Sequence, residues 1–118
     1  MPYKDPEQQK AYRKEYYART KDASVAYSLA FIRNRRKENK EFLDAIKSTT
    51  PCTDCSSLYP PYVMQFDHLP GFVKRNAVAV LSSEGVSIQT LKDEIAKCEL
   101  VCANCHAIRT HERRNIPL

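Results

Sequence analysis

Tryptophan is absent from this 118-residue chain, and only 42% of its residues are hydrophobic. The mean hydropathy is −0.57. Such a length and so lean a core exclude a large two-domain enzyme with a built-in cofactor fold, and small cores of this kind are usually completed by a covalent or metal staple. No stretch approaches the ~20 consecutive apolar residues of a membrane span, so a membrane is not an expected partner. The opening residues, MPYKDPEQQK, have no apolar centre of the kind that directs export. A reducing compartment is expected, and in it a disulfide framework is not. There is no internal repeat and no low-complexity segment.

Two features stand out against this sparse background. The first is charge. Residues 1–47 carry 12 Lys/Arg against 7 Asp/Glu, whereas residues 48–118 carry 7 of each, so the formal net charge of +5 belongs wholly to the N-terminal part. A localised basic surface points to a polyanion, most simply nucleic acid. The second is cysteine. Four of the five cysteines stand as two C-x-x-C pairs, Cys52/Cys55 and Cys102/Cys105, with 46 residues between them. In a reducing compartment that spacing reads as metal ligation. Zinc takes four soft ligands in a tetrahedron, and each tight knuckle supplies two thiolates. Four protein ligands leave no open position, so the zinc is structural. Four thiolates with Zn(II) sum to −2 and do not attract phosphate, so hydrolytic chemistry needs a second site. Cys98 is left over and reads as a small core residue at a helix end.

Patterning divides the chain into a basic helical arm, 1–47, and a zinc-braced domain, 48–118. In the arm Asp5 is placed to cap a helix, Pro6 fits its first position and Glu7 its positive end. The pattern weakens at Thr20–Ser24, which leaves one helix or two. Val25, Leu29 and Ile32 share a stripe, and apolar character returns at Phe42, Leu43 and Ile46. Such an arm must pack on the rest of the chain, on a second copy, or order on a partner. In the second part a strand is expected over 62–66, delivering the chain into Asp67-His68 and a turn at Leu69-Pro70-Gly71. Residues 72–81 are ambiguous. Ser87 should cap a helix over about 88–97, with Ile88, Leu91 and Ile95 inward; 99–101 should be extended and 106–114 helical.

His106 directly follows the last cysteine of the second knuckle. Closing the zinc site would therefore draw its helix towards the strand that ends in Asp67-His68. Asp67 and His106 could then share one divalent ion, Mg(II) or Mn(II), with room left for waters and a phosphate oxygen. His68, beside them and off the metal, could take a proton from the attacking water.

The ordered set Cys52–Cys55, Phe66-Asp67-His68, Glu94-Ile-Ala-Lys-Cys98 and Cys102-Ala-Asn-Cys-His106 with Arg109-Thr110 resembles the HNH endonucleases, especially the small zinc-bearing kind common in phage and mobile elements. The resemblance spans about residues 50–114 and leaves out the arm. It implies an α+β, mainly α chain: a ββα-metal core braced by a four-cysteine structural zinc, with an N-terminal basic helical arm. It also implies metal-dependent hydrolysis of DNA phosphodiester bonds, with His68 as general base, Asp67 and His106 as ligands of the catalytic ion, and a cytoplasmic location in a bacterial or phage-infected cell. One position departs from the pattern. The family's middle Asn falls here at Lys97 or Cys98, neither of which can do an amide's work of fixing a loop.

Lys74 and Arg75 after the Asp-His turn, and Arg109 and Arg113 on the His106 helix, are candidates to hold phosphates flanking the cut. Arg13, Lys14, Arg33, Arg35, Arg36 and Lys37 of the arm are candidates for salt-dependent affinity to double-stranded DNA. Tyr12, Tyr16, Tyr17 and Tyr27 could stack on unpaired bases or pack at helical spacing. Self-association through the arm, giving a homodimer, is also open. A competing expectation is a non-catalytic zinc-knuckle DNA-binding protein whose basic arm is the functional part.

Overall fold

The computed structural model describes residues 5–115. The first four residues of the decapeptide read above for an export signal lie outside them. Asp5 begins the first helix as expected: its carboxylate accepts from the Glu7 amide at 3.0 Å and its carbonyl from the Gln9 amide at 3.1 Å. The helix α1 then runs unbroken over Pro6–Thr49. No break occurs at Thr20, whose hydroxyl donates to the Tyr16 carbonyl one turn back (2.8 Å), a bond that satisfies it without leaving the helix.

The remaining elements are short. A single 3-10 turn, Pro61–Val63, leads into β1, Met64–His68. After a loop come α2, Val78–Ser83, and α3, Ile88–Ile95; then β2, Cys98–Cys102, and α4, Ala103–Arg114. The structure is thus mainly helical with one two-stranded antiparallel sheet. The expected strand at 62–66 lies two residues further on. The cause is its pairing: Met64 faces Cys102 and His68 faces Cys98, and the Leu69 amide extends the ladder to the Lys97 carbonyl at 2.9 Å. Asp67 and His68 are therefore strand residues, not turn residues. Ser87 does cap α3, accepting from the Thr90 amide. That helix ends at Ile95, earlier than expected, because Ala96 and Lys97 make the turn into β2. Likewise α4 starts before His106, with Cys102 as its cap.

By contacts the chain divides within α1 into Met1–Asn34 and Arg35–Leu118. In the first unit most large side chains are exposed, among them Tyr12, Tyr16, Tyr17, Tyr27, Leu29 and Phe31. The Tyr12 and Tyr16 rings stack with centroids 6.3 Å apart, and Arg19 lies over the Tyr16 ring.

The second unit holds two apolar clusters. Cys52, Met64, Leu100, Val101 and Cys102 form one beneath the cysteine knuckles. Leu43, Val78, Leu81 and Leu91 form the other, with Ile88 and Ile95 against it. Phe66 packs on both and ties them together. The last turns of α1 dock on this second cluster through a polar anchor as well. Asn39 is fully buried, and its amide donates to the Ser82 and Val86 carbonyls at 3.2 and 3.0 Å, holding the turn between α2 and α3. Replacing Asn39 by Ala would leave both carbonyls without that donor. It is expected to lower stability by about 1–3 kcal/mol, read from urea unfolding, whereas Lys40→Ala, exposed one residue away, should change it by less than about 0.5 kcal/mol.

Candidate metal centre and the polar cluster beside it

Cys52 and Cys55 lie in a tight knuckle that the backbone closes on itself. The Ser56 amide bonds the Cys52 carbonyl and the Cys52 amide bonds the Ser57 carbonyl, both at 2.9 Å. Ser56 takes a positive φ of 61° to make the turn. The knuckle is pinned to β2 by Thr53, whose amide and hydroxyl both donate to the Leu100 carbonyl at 2.9 and 2.8 Å. Cys102 ends β2 and Cys105 lies in the first turn of α4. As a result all four sulfurs lie within 4.8 Å of one another. Zinc–sulfur bonds of about 2.3 Å in a tetrahedron require sulfurs roughly 3.8 Å apart, so the quartet can hold such an ion.

The protonation chemistry agrees. Burial opposes ionisation of Cys52, yet amides of Cys55, Cys102 and Asp54 directed at its sulfur bring the thiol down to about 6. Cys105, crowded by the Cys102 sulfur and by burial, is pushed up to about 12. Four sulfurs this close do not all ionise unless a cation lies among them.

A second polar cluster adjoins the first, on the face of the sheet that carries Gln65, Asp67 and Glu99. Asp67 is 3% exposed. His106, from the first turns of α4, brings its Nε2 to 3.4 Å from Asp67 Oδ1 and bonds Gln65 through Nδ1. The structure thus brings together Asp67 and His106, the two candidate ligands of a catalytic ion. The contact is an ion pair, and the carboxylate that makes it has further partners on both oxygens.

Arg109 and Arg113, singled out from the sequence as phosphate contacts, are instead engaged with the same carboxylate. Arg109 Nη1 donates to Asp67 Oδ2 at 2.9 Å, and Arg113 donates to both oxygens at 2.8 and 2.7 Å. The Arg113 guanidinium holds the Asp67 carboxyl down at about 2, against the opposing effect of burial, with Arg109 and His106 assisting.

Arg109 also reaches the knuckle. Its Nε and Nη2 each donate to an Asp54 oxygen at 2.6 Å, and Nη2 lies 3.4 Å from Glu99. Asp54 stands between Cys52 and Cys55, so a single guanidinium joins the sulfur site to Asp67. Sequence reading passed over Asp54, Glu99 and Gln65. Alternation around Asp67 could have indicated Gln65, but only strand pairing places Glu99 opposite Asp67.

His68 is not in this cluster. Successive strand residues face opposite ways, and His68 lies on the other side of the sheet, its Nε2 bonded at 2.9 Å to Glu94 of α3. Of the other predicted contacts, Lys74, Arg13, Lys14, Arg33 and Lys37 are exposed and Arg35 is half-buried, while Arg36 donates to the Ser83 carbonyl. Cys98 packs against the second apolar cluster, its thiol raised to about 11 by burial and by Glu94. Among the described residues no helix is long and apolar enough to cross a membrane.

Two outcomes are expected. The purified protein should release one zinc per chain when its thiols are titrated with a mercurial, and Cys105→Ser should bind zinc more weakly and unfold at lower temperature; a metal-free, equally stable wild type would exclude the site. The second outcome concerns Asp67. Its folded pKa lies below the ~3.9 of an unfolded aspartate, so its ion pairs stabilise the fold fully above that value and progressively less as pH falls towards 2. The stability gap between wild type and Asp67→Asn should be constant above about pH 5 and narrow at about pH 3. No protein-family model matches this chain, nor does any curated protein or any solved structure.

Proposed function

We propose that this chain is a metal-dependent DNA endonuclease of the HNH type, its β1–β2 pair and α4 forming a ββα-metal core. The observation that carries the reading is the approach of Asp67 and His106 to 3.4 Å beside a four-cysteine cluster, with His68 next along the same strand. In this reading Cys52, Cys55, Cys102 and Cys105 hold a structural zinc. Asp67 and His106 hold the second ion, Mg(II) or Mn(II). When bound there, such an ion would polarise the scissile phosphate and stabilise negative charge on the leaving 3′-oxygen.

The chain's own residues do the rest. Asp67 and His68 are consecutive residues at the end of β1 and face opposite sides of the sheet, so in this reading the scissile phosphodiester wraps the strand end to meet both. His68 removes the proton of the attacking water. Arg113, 38% exposed along its side chain, is the more accessible of the two guanidinia on Asp67. With a cation on that carboxylate, Arg113 would be the residue available to hold a backbone phosphate. Arg109, tied to Asp54 as well, stays and keeps Asp67 oriented. The exposed Arg13, Lys14, Arg33 and Lys37 of α1 supply affinity through phosphate contacts, which carry no sequence information and weaken with salt. Double-stranded DNA is the proposed partner and the cytoplasm the proposed location.

A second reading, a non-catalytic zinc-knuckle DNA-binding protein, is favoured by one observation: both Asp67 oxygens already accept bonds from arginine. Supercoiled plasmid separates the two. With Mg(II) or Mn(II), wild type should nick it, and His68→Ala should lower the rate by at least ~10²-fold at unchanged affinity in a gel shift. Plasmid binding without nicking by either protein would establish the binder instead.

A further inference from the structure

Glu94 is the most deeply buried acid of the described residues, 2% exposed. It lies on the inner face of α3, one turn after the fully buried Leu91. A carboxylate there is costly unless its oxygens are matched by donors, and here they are. Oε1 lies 2.9 Å from His68 Nε2 and accepts from the Arg75 amide at 3.0 Å. Oε2 accepts from Lys97 Nζ at 2.9 Å. Lys97 in turn donates to the Val73 carbonyl at 2.8 Å, and its own carbonyl accepts from the Leu69 amide at 2.9 Å. The loop after β1 is therefore tied at Leu69, Val73 and Arg75 to the end of α3, and the His68 ring is held by the same carboxylate.

We propose that Glu94 is a positioning residue for His68, holding its proton on Nε2 so that Nδ1 is the nitrogen that accepts the proton of water; this rests on the nuclease reading above. An ionised carboxylate only accepts hydrogen bonds, so the ring nitrogen facing it must donate, and in a neutral imidazole the other nitrogen is then the base. Burial by itself would raise the Glu94 carboxyl, but the bonds from Lys97, His68 and the Arg75 amide outweigh it and bring it to about 2. In the reaction the water oxygen bonds to phosphorus as its proton passes to Nδ1. The bond from phosphorus to the leaving oxygen breaks, and that oxygen takes a proton from solvent. Glu94 touches neither water nor phosphate. It sets which nitrogen is free and where the ring lies.

The test uses the full zinc-loaded chain. Long-range ¹H–¹⁵N spectra of the three histidine rings at about pH 8, with His68 assigned from its absence in His68→Ala, report the tautomer directly. Wild-type His68 should carry its proton on Nε2. Glu94→Gln, whose amide can donate to that nitrogen, should shift the proton towards Nδ1. It should also slow nicking of saturating plasmid with Mn(II) at least tenfold, with the half-saturating plasmid concentration unchanged. Lys97→Met, which leaves the Glu94–His68 bond in place, should keep the wild-type tautomer. An Nδ1 proton on His68 in the wild type overturns the proposal, and that spectrum needs no variant to fold. Wild-type nicking by a folded, zinc-loaded Glu94→Gln overturns it as well. If the wild type does not nick but His68 is protonated on Nε2, the nuclease reading fails while the Glu94–His68 contact stands.

Discussion

Everything in the second unit is organised by the convergence of four sulfurs. Residues 52–55 and 102–105 are far apart in sequence, and the two strands that join them make only five paired positions. A two-stranded ladder of that size is marginal in water. A metal bound across it would bring binding energy that the unfolded chain cannot match, and so would stabilise the fold directly. The apolar cluster beneath the knuckles is small, and two of its five buried members, Cys52 and Cys102, are themselves candidate ligands. Core and metal centre are in that sense one object.

The sulfur site communicates with the rest of the polar surface through guanidinium groups. Arg109 spans from Asp54 in the first knuckle to Asp67 on β1, two carboxylates that repel each other until a cation lies between them. Because α4 begins just after Cys102, closing the knuckle also sets the rotation of the helix that carries His106, Arg109 and Arg113. These residues, at three- and four-residue spacing, lie along one side of α4 and meet Asp67 together. On the opposite side of the sheet Glu94 performs a comparable task with reversed charge, gathering Lys97, His68 and a loop amide. The sheet thus separates an acid held by cations from an imidazole held by an acid.

Much of this could be read from residue types. The paired cysteines, the caps at Asp5 and Ser87 and the inward position Leu91 follow from local spacing, and the approach of His106 to Asp67 follows from closing the two cysteine knuckles on each other. Glu94 did not announce itself. In a run such as Lys92-Asp-Glu-Ile-Ala-Lys97 it resembles its exposed neighbour Asp93, and only the packing of α3 against the sheet buries one and leaves the other in water. Asn39 was hidden in the same way, as one polar residue among many on α1. Asp54 looked like an ordinary turn residue until Arg109 approached it.

The sequence by itself determined the candidate sulfur ligands and the basic bias of the first 47 residues, since ligand spacing and charge are local properties, whereas α2 lies in a stretch whose pattern is ambiguous. Only the tertiary structure decided which charges are paired. Asp67 and His68 are neighbours in the chain, but strand geometry turns them to opposite faces, and the helices packed on those faces give one of them arginines and the other a buried glutamate.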